Sequence, residues 1–333
     1  MKKKPLLIVV LAALVVGVVG FAFFSGGINP ERELMAAERN MNNLDSYSID
    51  FEMIMESDDI EGINMILSGV ADINQLEKEG RGELGLNLVD MGVSLGASLM
   101  YVDGNLYGRA TTFPQALPIS PEQSEMLTGN DILLIENLPE VVKEALAESE
   151  EMEDFSLTDL IAEMEEFSEK VWKEAVTVSD SERDNLNGVR ARRYSIDFDA
   201  EKMVEMTMDL MEKYGLFDSL AELGEEDISE MREEMEREMI KAYQNMEVSV
   251  WSDGDYILKV TVSSVTEMEQ SDLQQFEMTE EETEQFSGEI KTVFEVNYSN
   301  FNESFEITAP EEYLTLEEVM QQFFLPFSIM ELY

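Results

Sequence analysis

Gly92-Val93-Ser94-Leu95-Gly96 has the G-x-S-x-G spacing that can place a serine on a nucleophile elbow. Such a serine needs a neighbouring base, and the chain contains no histidine, so a Ser–His–acid triad cannot form. The segment also sits among strand-like stretches, so Gly92 and Gly96 are read as bend or bulge residues. Paired carboxylates offer a second chemistry, glycoside cleavage. With 72 Asp and Glu, chance pairs abound and no spacing singles one out. The acidic run Asp180–Gly188 (DSERDNLNG) invites comparison with a calcium loop, but its glycine is misplaced and no Glu closes it. Asp253-Gly254-Asp255 reads as a hairpin turn. Without cysteine or histidine the usual zinc ligands are missing. No catalytic residue, metal ligand set or cofactor motif emerges, and the chain reads as a non-enzyme.

The other residues of interest are the 23 methionines. Met203, Met206, Met208 and Met211 fall within one helical stretch, and Met231, Met235 and Met239 form a stripe on another. Thioether copper sites are disfavoured, because short M-x-x-M repetition with histidine is missing. Two readings remain. The methionines either pack helices onto a sheet or line an adaptable apolar site.

The elements that would position these residues follow from periodicity. Pro30–Leu44 has the stripe of a helix. Ser48–Glu56 alternates, with Ile49, Phe51, Met53 and Met55 on one face. Ile63–Ile73 and Arg81–Asp90 repeat the alternation, and Leu95–Ala110 reads as a hairpin about Asp103-Gly104. Prolines 114, 118 and 121 then break the pattern. Helices are expected at Pro121–Leu127, Pro139–Glu148 and Leu157–Trp172. Strands resume at Ala175–Ser181 and Val189–Asp199 around Asn187-Gly188. A second helical insert spans about 200–243. Met246–Trp251, Tyr256–Val265 and Glu289–Ser299 are further strands. Phe305–Thr308 is a short strand candidate, and Leu316–Phe324 a closing helix. The pattern predicts an α+β fold. Its mainly antiparallel sheet has about nine to eleven strands, each with one apolar face, so helices must cover one side.

Lys2, Lys3 and Lys4 precede an apolar run from Pro5 to Phe24. About 20 such residues can span a hydrocarbon core of ~30 Å, with the lysines on the cytoplasmic side. Residues 1–27 are expected to be a transmembrane anchor, or alternatively a cleaved signal, and 28–333 an extracytoplasmic domain with helical inserts near 114–173 and 200–244. The formal charge of −50 excludes a basic nucleic-acid footprint. It fits a solvated acidic surface that needs screening, with weak divalent cations as possible partners.

Five segments in order resemble the lipoprotein-carrier superfamily of LolA-like and LppX/LprG-like exported proteins. They are MNNLDSYSIDFEM (41–53), MYVDGNLYGRA (100–110), DNLNGVRARRYSIDFD (184–199), MEVSVWSDGDYILKVTV (246–262) and VNYSNFNESFEITAPEEY (296–313). The resemblance implies a curved half-barrel sheet and an apolar cavity between sheet and helices, holding a lipid or acyl chain. It carries over no catalytic residue. This chain departs from the family in lacking a cysteine for lipidation and in its long acidic insert. Candidate lining residues are Phe51, Met53, Leu86, Phe198, Val250, Leu258 and Val296 from the sheet, and Met164, Met203, Met211 and Met235 from the helices. The sequence leaves open which sheet face is concave. The alternative is a structural or envelope-interaction module whose core is filled by its own side chains.

Overall fold

The computed structural model describes residues 32–57, 64–112, 120–138, 140, 167, 170–171, 173–213, 228–268 and 288–319. In chain order these form α1 (Arg32–Asn42), β1 (Ser46–Glu56), β2 (Asn64–Asn74), β3 (Glu79–Leu88), β4 (Val93–Val102) and β5 (Asn105–Thr112). There follow α2 (Pro121–Gly129), β6 (Ile132–Ile135), β7 (Val176–Leu186), β8 (Val189–Phe198), α3 (Ala200–Lys213) and α4 (Ile228–Gln244). The last elements are β9 (Met246–Ser252), β10 (Ile257–Met268), β11 (Gly288–Ser299) and β12 (Leu314–Thr315). The fold is α+β, with strand order β12-β6-β5-β4-β3-β2-β1-β11-β10-β9-β8-β7.

The chain divides into two compact units. One holds α1, β7 to β10, α3, α4 and most of β11; the other holds most of β1, β2 to β6, α2 and β12. Two hairpins have the turn their sequence predicts. Asp103-Gly104 (φ 52° and 81°) and Asn187-Gly188 (φ 52° and 91°) are left-handed at both central residues, as type I′ turns require. At Asp253 the turn is held differently: its Oδ1 accepts from the backbone N–H of Asp255 (2.9 Å) and Tyr256 (2.8 Å).

In the β1–β6 unit, register converts alternation into faces. Leu67 lies opposite Leu86, and Leu86 opposite Leu95. Leu84 faces Ala97, which faces Ala110; Leu99 faces Gly108, which faces Ile132. All belong to one face of the sheet. Phe51 joins it, because a Cβ on Gly69 would lie 2.7 Å from the Phe51 ring. The opposite face carries Val102 and Tyr107, buried with Ile307 and flanked by Met100, Leu133 and Phe305. Residues 300–304 are pinned to β1. The Asn302 N–H donates to Ser46 O (2.8 Å), Asp45 N–H donates to Asn302 Oδ1 (2.9 Å), and Ser46 Oγ donates to Glu303 O.

In the other unit, Tyr194 and Ile196 face Val250 and Val248, which face Val260 and Val262. Each of these six is at most 5% exposed. α1 packs on β9 and β10, α4 on β10, and α3 on α4. Arg232 of α4 pairs with Glu212 of α3 at 2.9 Å.

Several expectations need correction. Among the described residues there are twelve strands, not about nine to eleven. The strand β6 (ILLI) was not anticipated, because a four-residue apolar run has no alternation to read. β12 has only two residues and pairs with β6 in parallel. Residues 305–308 form no strand; Ile307 is buried as a plug instead. The Asp180–Gly188 run is the end of β7 and its hairpin turn. The expected anchor (5–24) and the Pro139–Glu148 helix region, apart from residue 140, lie outside the described residues. No helix among the described residues is long and apolar enough to cross a membrane.

Candidate functional site

Small side chains at the centre of an apolar sheet face leave a hollow. On the β2–β6 face, Ala97, Ala110 and Gly108 lie together, with Leu67, Leu86 and Leu95 on one side and Leu99, Ile132 and Leu134 on the other. The result is an open groove of about 410 Å³ with an almost wholly apolar lining. That volume lies in the range of small-ligand sites, about 300–1,000 Å³. A Cβ on Gly108 would lie 2.6 Å from Leu134 Cδ1 and 3.2 Å from Leu99 Cδ2, so these two leucines arch over the glycine. Leu134 is placed there by a register shift between Leu106 and Tyr107 where β5 meets β6.

The groove is apolar and open at the surface. Leu84 and Leu95 are each 37% exposed on a face where neighbouring leucines cluster. Single exposed leucines are ordinary; here they gather around one contiguous apolar hollow. Leucines and alanines dominate the lining, with Arg109 and Thr112 beside them, so the groove can hold methylene groups. Ser94 belongs to β4, and Gly92 (φ 61°) forms its entry turn. A register shift follows Gly96, so the G-x-S-x-G spacing is a turn and a bulge.

Of the predicted lining residues, the structure brings Leu86 into the groove, and Phe51 shares its sheet face half-buried. Met53 lies two residues beyond Phe51 on the same face of β1 and is half-buried. Val296 is buried in β11. Phe198, Val250, Leu258, Met203, Met211 and Met235 belong to the other unit. There Val250 and Met203 are wholly buried, and Met211 and Met235 nearly so. Leu258 sits at a register shift between Ile257 and Lys259, and Phe198 lies opposite Val176 at the end of β8. Met164 lies outside the described residues. Among the lining residues the sequence reading missed are Leu95, Leu99, Leu134 and the small trio. Five of these six were within reach: a two-residue turn at Asp103-Gly104 fixes Leu99 opposite Gly108 and Ala97 opposite Ala110, with Leu95 two places beyond Ala97.

The chain is similar to a solved structure. That structure is LprF from Mycobacterium bovis, with 10% identity over 86% of this chain and 99% of that one, at a TM-score of 0.34. No protein-family model matches the chain, and no curated protein matches it.

The helical unit has its own polar cluster, on the sheet face opposite its buried row. The Trp251 ring lies 5.4 Å from the Arg193 guanidinium and 5.3 Å from the Lys259 ammonium. Its indole N–H donates to Asp184 Oδ2 at 2.7 Å. That bond, then the Asn185 backbone N–H, holds the Asp184 carboxyl below its usual range. Arg193 donates to Ser249 Oγ at 3.0 and 3.2 Å and pairs with Glu182 at 3.4 Å; Lys259 pairs with Glu295 at 2.5 Å. Each cation is matched by an anion, so the cluster ties strands together rather than offering a charged site. Among the described residues no group of three or more acidic side chains is placed to hold a metal ion.

Proposed function

We propose that this chain is a membrane-anchored extracytoplasmic protein that binds a lipid or other apolar ligand and catalyses nothing. The carrying observation is the open apolar groove of about 410 Å³ on the β2–β6 face, where Leu84 and Leu95 remain 37% exposed. Methylene groups seated there would bury this surface at roughly 25 cal/mol per Å². The basic residues before the Pro5–Phe24 run support the anchor and the orientation. The −50 charge keeps the remaining surface solvated and favours ligands that do not place an anion deep in the groove.

The test is native mass spectrometry of the protein purified from its own membranes without detergent, followed by organic extraction. A stoichiometric lipid adduct is expected. A clean unliganded mass, with no binding of a fluorescent fatty-acid probe, sinks the reading. The second reading, a self-filled structural module, draws on the packed methionines of the helical unit, where Met203, Met211 and Met235 leave no room for a guest.

A further inference from the structure

The β7–β8 hairpin departs from the charge balance of the rest of the chain. Residues 183–193 (RDNLNGVRARR) hold four of the ten arginines and one acidic residue, in a chain with 72 acidic and 22 basic side chains. Register sorts these charges onto two faces. Arg183 lies directly opposite Arg192, and Asn185 opposite Arg190, so the three arginines share one face with Ser181 and Tyr194. Asp180, Glu182, Asp184 and Asp197 all fall on the other face. There Glu182 pairs with Arg193, and Asp184 accepts from the Trp251 indole. Like charges directly opposite repel, so Arg183 and Arg192 cost stability unless an anion lies between them. Among the described residues, Arg183 and Arg190 have no ion pair. Both are exposed, and Arg192 is half-buried. The hairpin also runs past its neighbour. β8 pairs with β9 only from Arg192 onward, because β9 ends at Ser252 and the chain turns at Asp253. Residues 184–191 therefore project from the sheet. At their tip Leu186 lies opposite Val189, which is 46% exposed.

We propose that this hairpin docks on an anionic phospholipid surface, with Leu186 and Val189 at the headgroup boundary and Arg183, Arg190 and Arg192 on lipid phosphates. A guanidinium binds phosphate with two parallel N–H donors, which suits a cluster of arginines. An apolar tip beside basic side chains matches the boundary between headgroups and acyl chains. A free phosphate or a nucleic acid would use the arginines and leave Val189 without a role. Each arginine near an anionic surface is worth roughly fivefold in binding. The formal charge of −50 opposes approach, but charges farther than about 8 Å are largely screened at physiological salt. The local arginines then decide which part of the surface touches the lipid. The hairpin belongs to the helical unit and not to the groove, so its docking holds whether or not the groove takes a ligand.

The absence of native cysteine lets a single label report on the tip in the full chain. Val189→Cys, carrying the environment-sensitive fluorophore NBD, is reconstituted with vesicles of phosphatidylcholine alone or of phosphatidylcholine with phosphatidylglycerol. The expected result is emission several-fold brighter in the anionic vesicles, quenched by nitroxide-bearing lipid. It should be lost at about 1 M NaCl, where screening acts within about 3 Å. The same label at Leu76→Cys, 74% exposed on the β2–β3 turn, should not respond. Adding Arg183→Gln and Arg190→Gln should remove most of the rise. Arg183→Glu makes an opposite-charge pair with Arg192, so the variant should resist denaturant at least as well as the parent and still lose the signal. Equal emission in the two vesicle types, an equal rise at Leu76→Cys, or a full signal in Arg183→Glu overturns the docking. The same brightening on adding inorganic phosphate to neutral vesicles also overturns it, and assigns the arginines to a small anion instead.

Discussion

The two compact units solve the same problem in opposite ways. Each presents an apolar sheet face. In the helical unit, Tyr194, Val250 and Val260 lie beneath helices whose Met203, Met211, Met235 and Met239 are at most 3% exposed. In the β1–β6 unit the corresponding face carries leucines around a hollow floored by Ala97, Ala110 and Gly108. The difference lies in side-chain size and not in alternation. Flexible methionine fills whatever gap a helix leaves, whereas small residues in a row between leucines create a gap. A filled face contributes stability, and on the function proposed above the hollow one keeps its apolar surface for a guest.

That contrast gives unequal expectations for truncation. Met235→Ala should destabilise by about 2–5 kcal/mol, as buried large-to-small changes do. It should leave probe affinity of the folded fraction unchanged. Leu86→Ala, on a half-buried groove residue, should cost less than about 1.5 kcal/mol while weakening fatty-acid probe binding several-fold. Chemical denaturation beside probe titration decides. Equal stability losses from the two variants would erase the distinction between the units.

Filling the hollow sharpens it further. Gly108→Ala places a methyl 2.6 Å from Leu134 Cδ1, the end of a flexible side chain that can swing away. Stability should change by no more than about 1 kcal/mol, and ligand affinity should fall because Leu134 moves or the floor rises. Gly69→Ala meets backbone as well, Glu83 O at 2.7 Å, and should destabilise by about 1–3 kcal/mol. A Gly69→Ala protein as stable as the parent would contradict the close approach of Phe51.

Much of this was legible in the sequence, and the exceptions have physical reasons. Alternation identified the face bearing Phe51, Leu67, Leu84 and Leu86, because a sheet with one buried side imposes period two. The turns at Asp103-Gly104 and Asn187-Gly188 were readable from the positive φ that their chemistry allows. β6 was not readable, since ILLI has no period. Leu86 was legible as apolar, but whether an apolar residue faces a guest or a methionine depends on what crosses above it. Periodicity carries no record of that. Hence Met203 and Val250 were grouped with Leu86, although the structure packs them into a different unit.

Two smaller effects probe the helical unit through its ionisable groups. Burial pushes the Tyr243 hydroxyl up to about 12, opposed by Thr207, whose Oγ1 lies 3.5 Å away. A folded-state value above the unfolded one, about 10, means the contribution is intact below pH 10. It is lost as pH rises towards 12. Tyr243→Phe should change stability by within ~1 kcal/mol at pH 7 and remove that alkaline loss, read by denaturation at stepped pH. Asp184 acts in the other direction. Its depressed value gives a contribution present above the unfolded value, about 3.9, and lost as pH falls through the folded one. Trp251 emission should shift over that acid range in the parent. In Asp184→Asn the shift should be missing, and its persistence would show that the indole bond is not the cause.

The most direct test of the central claim is photo-cross-linking with a diazirine-bearing fatty acid, followed by peptide mapping of the full chain. The account predicts labels on β3, β4 and β5, within residues 84–110, and none on Met203, Met211 or Met235. Labels concentrated on those methionines, or none above a fatty-acid-competed control, would contradict it.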